Sequence, residues 1–231
     1  MNIRVAKYIS NSGYCSRRDA EKLILDGKVF VNNTICNHPS KKVNTKDIVK
    51  INNKIIKIKE KIELWKLNKP VKYICSTKDI FNRKKIYDLL PPKMPRLFSI
   101  GRLDYMSEGL ILLTNNGDYS RFLELQSSNI KRKYRVCLTG KVNKSYLEKI
   151  NKGITIKKIK YNKVKVVYEK KIKEYVWLVF ILKEGKNREI RNICNFLSWK
   201  IVKLIRVSYG PYKLGNLAPG KLKKINIIKN D

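Results

Sequence analysis

Apolar positions in the first sixty residues recur first at helical and then at strand spacing. Ile3, Val5, Ala6 and Ile9 form one stripe that Gly13 closes, and Ala20, Leu23 and Ile24 form a second. Ser16-Arg17-Arg18-Asp19 reads as a capping box opening the second helix, with Gly27 just past its end. Val29-Phe30-Val31 and Thr34-Ile35-Cys36, parted by Asn32-Asn33, predict a hairpin. Ile48, Val49, Ile51, Ile55, Ile56 and Ile58 predict another pair of strands. Two helices followed by strands make a module of about the smallest size that folds alone. Lys57 to Glu63 is charged and carries no sustained core pattern, so the domain boundary is placed there, giving residues 1–60 and 61–231.

Beyond that boundary the pattern turns strand-rich. Leu64–Leu67, Lys72–Cys75, Gly109–Thr114, Tyr134–Leu138, Val164–Tyr168, Tyr175–Leu182 and Lys200–Ser208 are predicted strands. Helical spacing is confined to Tyr119–Leu125 behind the cap candidate Asp118, to Lys144–Asn151 and to Asn187–Leu197. Many strands and few helices imply a mixed, mostly antiparallel α+β domain rather than a doubly wound one. In the last helix Ile190, Ile193, Cys194 and Leu197 form the inward stripe, which leaves Arg188, Arg191 and Asn195 on another face.

Charge adds the first functional clue. The 231 residues are 43% hydrophobic, ordinary for a folded chain, yet 53 basic residues stand against 18 acidic ones, a formal +35. Enrichment in Lys, Ile and Asn is the skew expected of an AT-rich genome, and such bias is the alternative source of the charge. Residues 1–60 hold 13 basic and 5 acidic side chains and the remainder 40 and 13, so the excess is no local tail. A polyanionic partner, nucleic acid first and an anionic membrane surface second, is the expectation.

Other chemistries lose their usual signals. There is one histidine, His38, and the five cysteines include no C-x-x-C pair, so a catalytic triad, a zinc site and a disulfide framework are not expected. Neither a G-x-x-x-x-G-K-[ST] nor a G-x-G-x-x-G segment occurs, and no apolar run is long enough to span a bilayer. The start of the chain enters an amphipathic pattern with no signal-like apolar stretch, so a cytoplasmic location is expected.

The most informative segment runs from Ser99 to Asp118: Gly101-Arg102-Leu103-Asp104 leads through Gly109 into the apolar run Leu110–Leu113 and then Thr114-Asn115-Asn116-Gly117-Asp118. It is a glycine-bracketed loop that delivers one carboxylate, Asp104, onto a buried strand. On the residues alone, a loop cap or an ion pair with Arg102 outweighs catalysis. The segment closely resembles the G-R-L-D-x-x-[TS]-x-G-L-[LI]-L-L-T-N-x-G-D signature of the RsuA/RluB family of ribosomal RNA pseudouridine synthases. Lys131-Arg132-Lys133-Tyr134-Arg135-Val136 resembles that family's K-x-Y-R-V strand, and Glu184-Gly185-Lys186-Asn187-Arg188-Glu189-Ile190-Arg191 resembles its E-G-[KR]-N-R-[EQ]-[IV]-R motif. Residues 1–60 resemble the S4 RNA-binding module that such proteins carry, and Leu204 to Pro211 resembles their closing segment. Departures are mild: Ser107 where Thr is commoner, Asn116 where Asp is commoner, and Asn192 where some members have Arg.

The resemblance implies that Asp104 is the catalytic carboxylate, that Arg191 pairs with it and that Tyr134 packs against the target base. Arg102 and Arg188 would frame the site or contact phosphate, and Arg17, Arg18 and Lys28 would contact RNA from the S4 module. For Tyr134 the commoner fate of a strand tyrosine is cross-strand packing, for Arg102 and Arg188 structural ion pairing or a solvated face, and for Arg17, Arg18 and Lys28 a solvated helix face. The implied reaction, uridine to pseudouridine, loses no atoms and calls for no cofactor and no metal. The implied partner is ribosomal RNA, of the large subunit (23S-type) sooner than the small (16S-type), or a ribosomal assembly intermediate, met by a monomer without membrane contact. A non-catalytic RNA-binding assembly factor is the alternative, and intact Asp104, Tyr134 and Arg191 speak against it.

Overall fold

The computed structural model describes residues 2–44, 46–58 and 61–228. Lys59 and Glu60, within the segment where the sequence places the domain boundary, lie outside the described residues. The chain divides into two units: residues 1–63 with 92–98 and 114–119 form one, and residues 64–91, 99–113 and 120–231 the other. Two short segments that follow the expected boundary therefore return to the first unit.

In the first unit, helices Val5–Asn11 and Arg17–Leu25 precede a four-stranded sheet ordered Thr34–Ile35, Val29–Val31, Val49–Ile51, Lys54–Ile56, antiparallel throughout. Asparagine pairs make both hairpin turns: Asn32 and Asn33 have φ of 53° and 65°, and Asn52 and Asn53 47° and 63°. Left-handed backbone at both central positions matches the twist of the flanking strands. Ser16 Oγ accepts the Asp19 amide at 3.1 Å and so caps the second helix. Val5, Ile9, Ala20, Ile24, Val29, Val49 and Ile51 are fully buried between helices and sheet.

Two expectations change here. Ile3 is not helical: Ile3–Arg4 pairs antiparallel with Lys42–Val43, a ladder too short to show alternation in the sequence. Asp118 is not the cap of the next helix, Gly117–Glu124; Asn116 is, its Oδ1 accepting the Tyr119 amide at 2.8 Å. Asp118 lies in the first turn and pairs with Lys7 Nζ at 2.6 Å. Arg96 from the returning segment donates to Cys15 O at 2.8 Å and to Ser10 Oγ at 3.1 Å.

The second unit is built on a mixed sheet of nine strands among the described residues. Its order is Lys165–Ile172, Tyr175–Leu182, Arg132–Thr139, Lys200–Tyr209, Glu108–Thr114, Leu64–Lys69, Leu222–Ile225, with Phe98–Ile100 and Tyr212–Lys213 added beside the middle. Tyr175–Leu182 is antiparallel to both neighbours and Arg132–Thr139 is antiparallel to Lys200–Tyr209. Lys200–Tyr209 runs parallel to Glu108–Thr114. Along Tyr175–Leu182 burial alternates at every residue, and Leu178 and Phe180 meet Val136, Leu138, Ile193 and Cys194 in the core under helix Glu189–Phe196.

Lys72–Cys75 is not a strand. Lys72 takes a left-handed φ of 64°, and the segment makes only a single bridge, Ile74 to Lys85. Its apolar side chains signal packing, not a ladder. Helix Glu189–Phe196 likewise begins two residues later than its periodicity suggests, because Arg188 has φ of 53°.

Candidate active site

Asp104 owes its position to two glycines and a turn. Gly109 has φ of 102°, and a Cβ there would stand 2.4 Å from Arg206 O in the parallel pairing, so only glycine permits that approach of the central strands. Gly101, at φ of 70°, starts the loop. Between them the Ser107 amide donates to Asp104 O at 3.0 Å, which folds residues 104–107 into a turn with the Asp104 side chain 28% exposed.

Arg191 clasps this turn. Its Nε donates to Asp104 Oδ2 at 3.0 Å, and its Nη2 donates to Met106 O and to Ser107 Oγ, both at 2.9 Å. A planar guanidinium with several donors can hold the carboxylate and its backbone at once. Arg191 is delivered by the first turns of helix Glu189–Phe196, whose inward stripe anchors Ile190 and Ile193. Arg188 Nη1 stands 4.0 Å from the same Asp104 oxygen.

Underneath lies a group of buried cations. Lys69 is fully buried and its ammonium donates to Ser107 O at 2.6 Å and Pro70 O at 3.0 Å, tying the end of the Asp104 turn to the neighbouring strand. Burial pushes its pKa down to about 8, against the pull of Cys75, Asp104 and Glu108. Arg206 is 2% exposed, donates from Nε to Leu110 O at 2.7 Å and keeps one terminal nitrogen, Nη2, without a hydrogen-bond partner among the described residues. Arg132 donates to the Tyr209 hydroxyl at 3.0 Å, which in turn donates to Leu123 O at 2.8 Å. Both guanidinium carbons lie near the Tyr209 ring, at 4.9 and 5.1 Å from its centroid.

The Asp104 carboxylate, the four arginines and Tyr209 line one cleft of about 1120 Å³, with Lys69 buried behind its wall. Asp104, Arg191, Arg188, Arg102 and Tyr134, the residues the sequence singles out in this domain, all face it. Tyr134 is half-buried and also packs on the core, so its expected cross-strand packing and its exposure to the cleft coexist. Arg102 is exposed at the wall and is not the ion-pair partner of Asp104; Arg191 and Arg188 are nearest to that carboxylate. Glu184 accepts from the Asn162 amide at 2.8 Å and pairs with Lys186 at 3.1 Å, while Glu189, 3% exposed, is pushed up to about 7 by burial and then by Glu184. Sequence reasoning missed Lys69 and gave Arg132 and Arg206 no role. The available signal was a lysine closing the apolar strand Leu64–Lys69 just before Pro70.

Arg17, Arg18 and Lys28 belong to the first unit. Arg17 and Arg18 open its second helix, Lys28 follows that helix, and all three are exposed, with Lys28 Nζ 3.5 Å from Asp26. Among the described residues no cluster of His, Cys, Asp or Glu could hold a metal ion, and no helix is long and apolar enough to cross a membrane.

A carboxylate gripped by arginine in a basic cleft on a mixed α+β sheet, on a chain that opens with a small helix-and-sheet module, suits a protein that acts on a polyanion. Residues 63–196 match the RNA pseudouridylate synthase family and residues 3–49 the S4 domain. An uncharacterized RNA pseudouridine synthase of Rickettsia bellii is 47% identical over 96% of both chains. Ribosomal large subunit pseudouridine synthase B of Buchnera aphidicola subsp. Schizaphis graminum is 34% identical over 99% of this chain and 92% of its own. A crystal structure of a pseudouridylate synthase shares the fold, with a TM-score of 0.68 at 24% identity over 97% of this chain and 96% of that one. The chain belongs to the RNA pseudouridine synthase family and carries an N-terminal S4 domain.

Proposed function

We propose that the protein isomerises specific uridines of ribosomal RNA to pseudouridine, with Asp104 as the catalytic carboxylate. The observation that carries this reading is the three-donor grip of Arg191 on Asp104 and its turn inside a cleft large enough for a nucleotide. The reaction breaks the bond from N1 to the sugar C1′, turns the base, joins C5 to C1′, loses the C5 proton and places a proton on N1. Composition is unchanged, so an anionic group and a cleft that holds the base meet its needs. Asp104 supplies the anion, for attack at C1′ or C6 or for removal of the 2′ proton. Arg191 keeps it aimed, Tyr134 offers a face for the extruded base, and Arg102 and Arg188 meet the flanking phosphates.

In this reading the S4 unit docks the RNA through Arg17, Arg18 and Lys28, whose exposed charges suit phosphate contacts. Large-subunit RNA is the favoured substrate, supported by the name of the Buchnera relative. The protein works in the cytoplasm, as a monomer.

The experiment is pseudouridine mapping by carbodiimide modification and reverse transcription on ribosomal RNA from cells with and without the gene. One stop should vanish with the gene, return with the wild type and stay absent with Asp104→Asn. Purified Asp104→Asn should bind ribosomal RNA within a few-fold of wild type, because phosphate contacts dominate affinity. Turnover by Asp104→Asn would remove the catalytic assignment.

A further inference from the structure

Scattered exposed apolar side chains are ordinary, but an adjacent pair held outward on a braced loop beside a cleft is not. Ile80 and Phe81 are 87% and 71% exposed. Their loop is fastened at its base: Asp79 accepts the Arg83 amide at 2.9 Å and the Arg83 guanidinium at 3.1 and 2.6 Å. These bonds hold the Asp79 carboxyl down to about 2, so the brace stays charged at any working pH. The same guanidinium lies 5.0 Å from the centroid of the Phe81 ring and 5.9 Å from that of Tyr105. Asp79, Arg83 and Tyr105 line the cleft and Tyr105 follows Asp104 directly, which sets the Phe81 ring at the cleft rim.

A uridine inside folded RNA must leave its stack to reach Asp104, and the gap it leaves is costly unless a flat apolar group fills it. A preformed ring backed by a cation suits that purpose, since every nucleobase has a face to stack on and the positive charge draws in the backbone. We infer that Phe81, backed by Arg83 and flanked by Ile80, is the wedge that takes the stacking place of the displaced uridine. It is a positioning residue, because it holds the RNA open and does not touch the reacting atoms. The inference rests on the proposed isomerisation for the destination of the base, and on the loop alone for the insertion.

Two measurements test it. Phe81→Trp places an indole at the tip, and its fluorescence, taken as the difference from wild type with native Trp65, Trp177 and Trp199, should be quenched saturably by naked transcripts of the two large ribosomal RNAs. Phe81→Ala should lower kcat/KM about tenfold on a folded hairpin containing the mapped uridine, in line with the loss of one stacking contact. On the same nucleotides presented as an unpaired strand the loss should stay below about twofold, since no stack remains to be opened. No additional quenching overturns the wedge whether or not any uridine is turned over, and so does quenching seen only with assembled ribosomal subunits, which would mean that the tip meets protein. Equal losses on folded and unpaired RNA also overturn it. Quenching by naked RNA without turnover at any uridine by the wild type supports the wedge and overturns the isomerase reading, so the two fail separately.

Discussion

In the proposed reaction Asp104 acts only while its carboxylate stays where the turn aims it, and the turn is held from two sides. Arg191 grips it from the helix, and Lys69 holds the Ser107 carbonyl from below. Arg191→Lys keeps the charge but not the fork, and one ammonium cannot reach Asp104, Met106 and Ser107 together. Pseudouridine formation in a single-turnover assay should fall by about 100-fold, the scale of an ångström-sized misplacement, with RNA affinity within a few-fold. Unchanged turnover would show that charge alone suffices. The Glu189 carboxyl is shifted upward, where a surface carboxylate beside cations is shifted downward. Its folded-state pKa lies near 7 against an unaltered 4.5, with Lys186 and Arg132 offsetting part of the effect of burial and of Glu184. The native state therefore binds this proton more tightly, and the resulting stability is complete below about pH 4.5 and lost as pH rises through about 7. Glu189→Gln stays neutral throughout, so its Tm should gain on that of the wild type between about pH 5 and pH 8. A constant difference across that range would contradict the assignment.

At the scale of elements, the parallel contact of Glu108–Thr114 with Lys200–Tyr209 positions the start of the buried strand, and hence the Asp104 turn, against the strand that carries Arg206. Gly109 makes that contact possible. Gly109→Ala would drive a Cβ to 2.4 Å from Arg206 O at a φ of 102°, so the strands must part or the backbone must strain. We expect a loss of about 3 kcal/mol or more in urea unfolding, with activity lost in whatever folds. A wild-type midpoint would show that the strands have room to move. Elements with a local signal were legible in the sequence: the strand-length apolar run Tyr175–Leu182, the Asn32-Asn33 hairpin and the Ser16 cap. Elements that depend on distant partners were not. Ile3–Arg4 needs Lys42–Val43 to be a strand, and Lys72–Cys75 fails to be one because its backbone bonds go to Lys84 and Tyr105.

For the whole molecule, the spread of +35 over both parts of the sequence makes affinity for RNA an electrostatic quantity. Binding should weaken steeply with added salt, and removing residues 1–60 should weaken it further while making the slope of log K against log salt shallower, both read from binding titrations. An unchanged slope would show that the S4 unit contributes no phosphate contacts. The same truncation strips Arg96 of Ser10 and Cys15 and strips Asp118 of Lys7, so the remaining chain should melt at a lower temperature than the full protein. By itself the sequence determined the class of fold, the S4 module and the candidate carboxylate and arginines, because motif residues, turn asparagines and strand-length apolar runs carry their information locally. Tertiary structure alone decided that Arg191 also grips Met106 and Ser107, that Lys69 and Arg206 lie buried beneath the turn, and that segments 92–98 and 114–119 return to the first unit. Each of these joins residues tens of positions apart in the chain, and such a contact exists only once the sheet has brought its strands into register.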